Sequence, residues 1–365
     1  MDKEYRHNMK PKIYFICPNN KFISGGVKQI YRQVEALNKN GIDAYVLLNQ
    51  KPKQKWFETQ ASVAYSPYLH KMLRYTLKNK KLYPNKKLKL WYLKRKSISI
   101  EQNDILVIPE IYGVEFNKIL PTNRKIIFNQ NCYYTFNIYG ITTNHTEINY
   151  NTADILGAIV VSADSLAYLN YAFPTANVYR IHIGIQDTIF NYSEIKKKQI
   201  CFMPRKLSQD VTQIVEILKK REALKNWNFV SIDNKTEQEV AQIMKESVFF
   251  LSFNHREGFG LPPVEAMACG CYVIGYHGEA GREYLNPEFS TTIEYGNIIA
   301  YAQKVEEMVM AFEQAPQSVL DKGRKASEFA LNEYSMERQE QDIIHTWKQI
   351  LKETDVTDKS EEVKR

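Results

Sequence analysis

Two glutamates, Glu257 and Glu265, with seven residues between them, stand in the part of the chain with the most chemically informative residues. Between them, Gly258 and Gly260 let the backbone approach a ligand closely, and Pro262 suits the first turn of a helix. The unpaired amides and positive dipole end of a helix N-terminus attract phosphate or sugar oxygens. The pattern predicts an anion-binding loop with Glu257 before the helix and Glu265 in its first turn, where the alternative role for Glu265 is to complement the dipole.

Arg205 and Lys206 form a second candidate site, directly after the apolar run from Ile200 to Met203. Ligands of parallel sheets bind at the carboxyl ends of the strands, and adjacent cations there neutralise a diphosphate. The alternative is an ordinary solvated surface turn. We expect Arg205 and Lys206 to stabilise a negatively charged leaving group.

Other candidates follow strands in the first half of the chain. Gly25 and Gly26 come after the apolar run from Lys12 to Cys17, at a position that suits a phosphate-facing loop or a plain tight turn. The helix that follows them carries Lys28 near its start, facing either a ligand or solvent. Polar residues at later strand ends are candidates for the same edge, with turn or core roles as the alternative: Glu110, Gln130, Asn131 and His182.

Two successive series of strands and helices must position these residues. In the first, a helical stripe from Val27 to Leu37 separates two strands, which is the unit from which parallel sheets are wound. The pattern restarts near Gln199, and Thr236 with Glu239 has the spacing of a capping box. The predicted fold class is α/β, with two Rossmann-like doubly wound domains facing a central cleft.

The domain boundaries follow from where this pattern restarts and ends. We expect an N-terminal domain at residues 1–195 and a C-terminal domain at 196–335, with a helix at about 336–352 packing back on the first domain. Residues 353–365 alternate in charge with few apolar side chains, which predicts a disordered tail.

The composition is that of a globular protein, with 44% hydrophobic and 25% charged residues in a chain of 365. Five scattered cysteines without paired spacing indicate a reducing compartment. No stretch approaches the roughly 20 apolar residues that span a bilayer. We therefore expect a cytoplasmic protein, either free or peripheral on the inner face of the membrane.

Residues 70–96 concentrate the positive charge, with eleven Lys or Arg and no Asp or Glu, interleaved with four aromatic residues. Cations attract anionic lipid, and Trp and Tyr favour the membrane interface. The segment therefore predicts contact with an anionic membrane surface. The alternative is a solvated basic face whose leucines pack inward; nucleic acid is not expected as a partner, because no recognition motif accompanies the charge.

The stretch from His255 to Tyr276 resembles glycosyltransferase family 4, which has the GT-B fold and a Glu, seven residues, Glu signature. The match includes Gly-Phe-Gly-Leu-Pro after Glu257 and Glu-Ala-Met-Ala-Cys-Gly from Glu265 onward. The resemblance implies that Glu257 and the amides after it lie at the donor sugar, and that Glu265 bonds the ribose hydroxyls. The implied catalytic residues are Glu257, Arg205 and Lys206, and the implied donor-binding residues are Gly258, Phe259, Gly260, Leu261, Glu265, Gly25 and Gly26.

The chain departs from the family at two positions. The family places a Lys several residues after the Arg, where this chain has Gln209 and Asp210, and Lys206 instead follows Arg205 directly. The family also has a His at a strand end of the first domain, near the position of Asn131. Either Gln130 or Asn131 takes over its hydrogen bond, or the correspondence at this strand is wrong.

The resemblance implies a retaining hexosyltransferase that moves a sugar from a nucleotide-diphosphate donor to a glycan or lipid-linked glycan acceptor in surface polysaccharide synthesis. The sequence has no Asp-x-Asp motif and no cluster at zinc spacing, so neither a metal nor another cofactor is expected. Two alternatives stay open: a non-catalytic transferase-like binding subunit, and an epimerase or phosphorylase of the same fold.

Overall fold

The computed structural model of the protein describes residues 10–18, 25–51, 58–77, 81, 83–112, 119–136 and 150–362. Residues 78–80 and 82 of the basic segment and 363–365 of the predicted tail lie outside these ranges. The chain forms two compact units: the first comprises Met1–Val161, Ser165–Ile181 and Glu340–Arg365, and the second comprises Ser162–Asp164 and His182–Gln339.

The first unit is built on a seven-stranded parallel sheet in the order β3-β2-β1-β4-β5-β6-β7. The chain reverses its direction of travel across the sheet between β1 and β4, which is the switch point of a Rossmann-type order. Its strands and the helices between them are β1 (Ile13–Ile16), α1 (Gly25–Lys39), β2 (Ala44–Leu48), β3 (Val63–Tyr65), α2 (Pro67–Leu77), α3 (Pro84–Lys94), β4 (Ile105–Pro109), β5 (Arg124–Asn129), β6 (Ile155–Val160), α4 (Ala163–Ala172) and β7 (Val178–Arg180).

The second unit has a five-stranded parallel sheet in the order β12-β11-β10-β8-β9. Its switch point lies between β8 and β10. The elements are β8 (Lys197–Phe202), α5 (Ser208–Lys219), β9 (Asn228–Ser231), α6 (Glu237–Glu246), β10 (Ser247–Glu257), α7 (Leu261–Ala268), β11 (Tyr272–Glu279), β12 (Ser290–Thr292), α8 (Ile298–Gln314) and α9 (Pro316–Glu333). Two wound parallel sheets confirm the predicted α/β class, and the capping box of Thr236 and Glu239 is present at the start of α6.

The transition into the second unit lies at residue 182, earlier than the predicted 195/196. The segment after Ile181 joins the second unit because the Ile185 amide donates to the carbonyl of Tyr334 at 2.7 Å. The Gly184 amide also donates to Gln339 Oε1 at 3.1 Å. These bonds fix residues 182–185 to the end of the chain's second unit.

The last helix, α10 (Met336–Glu362), belongs mainly to the first unit. Trp347 is fully buried on it, donates to Gln33 Oε1 of α1 at 3.1 Å, and packs its ring 5.6 Å from that of Phe15. The backbone stays helical to Glu362, through most of the segment for which a disordered tail was predicted. The alternating charges of that segment are compatible with a helix that continues from an anchored one, since propagation costs less than nucleation.

All five cysteines lie in the described ranges, where they are buried and free of disulfides. No helix of the described residues is long and apolar enough to cross a membrane.

Candidate active site

The switch point of the second unit brings together residues from two neighbouring strand ends. Lys206 follows β8 and Glu257 ends β10, and the Lys206 Nζ contacts Glu257 Oε1. The Glu257 side chain is 12% exposed and that of Lys206 is 50% exposed, so the pair lies at the rim of the sheet with the carboxylate inside. Arg205 is exposed beside Lys206. An anion at this edge therefore meets two cations and one half-buried acid.

The strand β10 reaches its last residue, Glu257, through a distortion that the sequence did not reveal. The sequence pattern predicts Glu257 in a loop before the helix, whereas the structure makes it the last residue of the strand. The register against β11 shifts between Asn254 and Glu257, and Arg256 adopts a φ of 48°. This bulge adds length on one strand and re-aims the side chains after it. As a result Glu257 pairs with Glu279 at the sheet edge.

The turn from Gly258 to Gly260 rests on two buried side chains. Tyr284 is 1% exposed, and its hydroxyl donates to the carbonyls of Phe259 and Gly260, at 2.9 and 3.1 Å. A Cβ on Gly260 would lie 2.5 Å from Asn254 Nδ2, and Gly260 has a φ of +85°. Only glycine fits this position.

The Phe259 side chain is part of this support. It is 4% exposed and packs its ring 5.5 Å from Tyr284 and 5.2 Å from Tyr334. A contact from Phe259 to a donor would therefore come through its backbone. The Phe259 ring supports the turn from Gly258 to Gly260 through its packing against the two tyrosines.

The helix α7 begins at Leu261, and Gly260 is its N-cap. Glu265 is thus the fifth residue of the helix and not in its first turn, contrary to the prediction. The dipole interaction falls off within the first turn, so complementing the dipole is a poor explanation for this half-buried glutamate. Gly270 follows the C-cap of the helix with a φ of +82°, the left-handed conformation that commonly ends helices.

Backbone strain collects at the carboxyl edge of this sheet. Leu207, Arg256 and Glu279 have φ values of 48°, 48° and 68°. Leu207 follows β8, Arg256 is the last residue but one of β10, and Glu279 ends β11. Non-glycine residues in the left-handed region cost about 1–3 kcal/mol each and persist where the surrounding structure fixes them, often at functional sites. The strain and the charges therefore mark the same edge.

The structure explains why Asp210 stands near the position where the family has a lysine. Asp210 lies in the first turn of α5, and its carboxylate accepts a hydrogen bond from the Tyr276 hydroxyl at 3.1 Å. Tyr276 is 1% exposed, and burial, together with this carboxylate, raises its pKa. The residue at this position thus ties α5 to β11, and the second cation of the edge comes from Lys206.

The end of β11 and the short turn after it add a third group of polar residues. The Glu279 amide donates to His277 Nδ1 at 2.9 Å, so the neutral imidazole carries its proton on Nε2. Burial, and then the nearby Arg282, lower the pKa of His277. Arg282 pairs with Glu279 at 2.9 Å. Among residues in the described ranges, no group of three or more His, Cys, Asp or Glu is arranged to hold a metal ion.

An aromatic surface near the same edge was missed in the sequence. Tyr295 is 57% exposed and stacks on His255, with ring centroids 4.3 Å apart and planes at 27°. Tyr276 meets Tyr295 edge to face at 5.4 Å. Nothing local marks Tyr295, which stands before Gly296 in an ordinary turn sequence; only the fold sets it beside β10.

The switch point of the first unit has a different composition. Glu110 follows β4 and is 5% exposed, and its Oε2 accepts a hydrogen bond from the Gln130 amide at 3.1 Å. A Cβ on Gly26 would lie 3.1 Å from Gln130 Oε1. Three predicted residues, Gly26, Glu110 and Gln130, therefore lie together. Burial raises the pKa of Glu110 to about 7 despite the amides that donate to its carboxylate.

The other four predicted residues of the first half of the chain lie elsewhere: Asn131, His182, Lys28 and Gly25. Asn131 caps the short helical turn after it, since its side chain accepts from the Tyr133 amide at 3.0 Å. Of the two amides considered as a histidine replacement, Gln130 is thus the one beside Gly26. His182 Nε2 lies 3.2 Å from an Arg338 guanidinium nitrogen. Lys28 is half-buried on α1, and Gly25 is exposed at its start.

Comparison with known families gives one match within the second unit. Residues 208–317 match the family model of glycosyl transferases group 1. This range begins at α5 and extends into the start of α9, and so it includes Glu257, α7 and β11 but not Arg205 and Lys206. The match therefore covers most of the charged edge.

A relative of similar length and several solved structures extend the comparison to the whole chain. An alpha-1,6-glucosyltransferase from Actinobacillus pleuropneumoniae serotype 7 (strain AP76) is 28% identical over 319 residues, covering 84% of this chain and 86% of the relative. The crystal structure of TarM aligns with a TM-score of 0.66 at 12% identity, over 94% of this chain and 99% of that one.

Anabaena HepE, solved in complex with UDP and glucose, aligns with a TM-score of 0.63 at 13% identity, over 93% of this chain and all of that one. These similarities show that the fold is that of GT-B glycosyltransferases. The chain is therefore a glycosyltransferase with the GT-B fold, and its residues 208–317 match the group 1 glycosyl transferases.

Proposed function

We propose that the protein is a retaining, metal-independent glucosyltransferase that uses a uridine diphosphate sugar. The observation that carries the proposal is the contact of Lys206 with Glu257 at the switch point of the second unit. It sets a cation, a carboxylate and the N-terminus of α7 at the strand ends where ligands of such sheets bind.

The roles follow from the charge that develops in the reaction. When the sugar leaves, negative charge accumulates on the diphosphate oxygens, and preorganised cations and amides stabilise it. Arg205 and Lys206 supply the cations, and the amides at the start of α7 supply the dipole. Glu257 holds Lys206 in place before the donor arrives. Glu257 is then assigned to the donor sugar and Glu265 to the ribose hydroxyls, in the roles that family 4 implies.

The choice of uridine and glucose rests on similar proteins. The Actinobacillus relative is described as a glucosyltransferase, and HepE was solved with UDP and glucose. Retention of anomeric configuration follows from the likeness to family 4. We assign the acceptor, a glycan or lipid-linked glycan in surface polysaccharide synthesis, to the carboxyl edge of the first unit, where Gly26, Glu110 and Gln130 cluster.

A donor panel tests the proposal. The protein is incubated with uridine, guanosine and thymidine diphosphate sugars in the presence of EDTA, and release of the nucleotide is measured with and without glycan acceptors. We expect turnover of UDP-glucose above the other donors, and an equatorial anomeric proton in the product by NMR, because retention keeps the α configuration of the donor. Loss of turnover in EDTA that returns with a divalent metal would contradict metal independence.

Two outcomes would support the alternatives instead. Binding of UDP-glucose without release of UDP under any acceptor would favour a non-catalytic binding subunit. Interconversion of the free nucleotide sugar would favour an epimerase. The Lys206→Ala variant, assayed on the same donor panel, tests the cation at the charged edge. Lys219→Ala is its matched control, because it removes an exposed lysine from the far end of α5.

A further inference from the structure

The helix α3 presents two apolar stripes on opposite sides. Leu90 is 6% exposed, and Lys86 and Leu93 lie half-buried one turn to either side of it. At 3.6 residues per turn, Leu88, Trp91 and Tyr92 fall on the opposite side of the helix. They are 67%, 52% and 51% exposed. The inner stripe is packed, and the outer stripe faces solvent.

The outer stripe groups three exposed apolar side chains within two turns of one helix. Tyr171, by contrast, is the single large exposed apolar side chain of α4 among the described residues. Single exposed apolar residues are ordinary on protein surfaces, whereas clustered ones mark interaction sites. We call Leu88, Trp91 and Tyr92 the outer stripe.

Cations flank the outer stripe on both sides. On the helix surface Lys87 and Lys94 fall along one flank and Lys89 along the other, and all three are exposed. Arg95 lies with its guanidinium carbon 3.7 Å from the Trp91 ring centroid, and Lys96 Nζ lies 4.5 Å from that of Tyr92. Residues 70–96 contain no Asp or Glu to neutralise these charges.

We propose that the outer stripe and its flanking cations are a docking surface for an anionic lipid membrane. Interfacial helices have an apolar face that enters the boundary between headgroups and acyl chains, with Lys and Arg beside it on the phosphates. Leu88 distinguishes this occupant from a single-stranded nucleic acid, which would use the aromatic rings and the charges but has no use for an aliphatic side chain. A second copy of the chain would have to supply a matching acidic face.

The lipid surface is tested with the full chain and vesicles. Sedimentation is measured with vesicles of phosphatidylglycerol and phosphatidylcholine and with vesicles of phosphatidylcholine alone. We expect binding to the first kind that weakens with salt, and little binding to the second. An electrostatic gain of about fivefold per cation near the surface predicts roughly a hundredfold loss for Lys87→Gln, Lys89→Gln and Lys94→Gln combined.

A second variant separates the apolar contribution from the charge. Leu88→Ser with Trp91→Ser keeps every cation and is expected to lower binding more than tenfold, because it removes the side chains that enter the lipid. Controls on the same unit are Tyr171→Ser, which removes an isolated exposed ring, and Lys348→Gln with Lys352→Gln on α10. Both controls should bind as the unchanged protein does, and circular dichroism verifies that all variants are folded.

The fluorescence of Trp91 measures directly whether its side chain enters the lipid. Brominated acyl chains should quench tryptophan emission in the unchanged protein, and much less in Trp91→Phe. The proposal is overturned if the protein does not bind the anionic vesicles. It is also overturned if the lysine variant and the variant of Leu88 and Trp91 both bind as well as the controls. Tight binding of single-stranded DNA, or concentration-dependent self-association through this surface, without vesicle binding would assign it to those partners instead.

Discussion

The switch points of the two sheets are equivalent places in the fold, but different residue types lie at them. At the switch point of the second unit, Lys206 and Arg205 lie beside Glu257, and three non-glycine residues near these strand ends have left-handed φ values. At the switch point of the first unit, a glycine, an amide and a buried carboxyl lie together: Gly26, Gln130 and Glu110.

The difference indicates a division of labour. Charge and strain suit stabilisation of a diphosphate, whose negative charge grows during transfer. A hydrogen-bonding edge formed by an amide and a buried carboxyl suits a hydroxyl-bearing ligand, which must be oriented. Under the proposed function, transition-state stabilisation would belong to the second unit and positioning to the first, and each variant below tests one side of this division.

The largest expected effect is on the charged edge. Lys206→Ala should lower kcat/KM by about 100- to 1000-fold, as the loss of one preorganised electrostatic contact does in other enzymes. Gln130→Ala should cost less than about tenfold, because it removes a positioning contact. Steady-state kinetics with UDP-glucose would measure both, with Lys219→Ala as the control. Equal losses at the two edges would end the proposed division.

The two glycines give the next contrast. Gly260→Ala places a Cβ 2.5 Å from Asn254 Nδ2 at a φ of +85°, and such overpacking costs about 1–3 kcal/mol. Gly26→Ala brings a Cβ 3.1 Å from the flexible end of Gln130, which can move aside. Thermal unfolding and UDP affinity should both fall for Gly260→Ala and change little for Gly26→Ala. A reversed ranking would show that the turn from Gly258 to Gly260 is not held as the contacts with Asn254 and Tyr284 indicate.

The buried carboxyl of the first unit predicts a pH dependence. The pKa of Glu110 rises from 4.5 to about 7 on folding, so its contribution to stability is complete below pH 4.5 and is lost as the pH rises to about 7. At about 1.4 kcal/mol per pKa unit, the loss is at most about 3 kcal/mol. Glu110→Gln does not titrate and should gain stability relative to the unchanged protein between pH 5 and pH 8.

Unfolding by urea at several pH values measures this difference. The Gln130→Ala variant retains Glu110 and is the control, since it should keep the pH slope. A slope that is the same with and without the carboxyl would mean that another group is responsible.

The smallest expected effect concerns strain at the charged edge. Glu279 has a φ of 68°, which glycine adopts without steric strain, so Glu279→Gly should relieve strain of about 1 kcal/mol. In a domain of this size that corresponds to a rise of about 2–4 °C in the melting temperature of the second unit. If the strain serves binding, UDP affinity falls while stability rises. A loss of stability would show that the pairing with Arg282 outweighs the backbone relief.

Much of the fold was readable from periodicity. The apolar runs that became β1, β4, β8 and the first part of β10 are buried in parallel sheets, as continuous apolar strands should be. The short edge strand β3 carries no such signal, and neither do the helices of residues 67–94, where the basic charge dominates the composition. Helix lengths also escaped prediction, most of all that of α10, which is anchored by the buried Trp347.

Some features of the candidate site were likewise predictable from the sequence, and others were not. The glycine-rich turn and the start of α7 were predicted from residue types alone, because glycine and proline restrict the backbone wherever they occur. The bulge at Arg256 was not, since its φ is imposed on an arginine by the pairing of Glu257 with Glu279. Tyr295 and Asp210 likewise have neighbours that no local pattern predicts.

The sequence by itself determined the alternation of strands and helices, the glycine-rich turn before α7, and the concentration of cations in residues 70–96. Each depends on neighbours a few residues away, where backbone preferences and periodicity act. Tertiary structure alone decided that Lys206 meets Glu257, 51 residues later, and that Gln130 rather than Asn131 lies by Gly26. It also decided which side of α3 is left exposed. Such contacts depend on strand order and register, because these set which side chains from distant segments reach the same edge of a sheet.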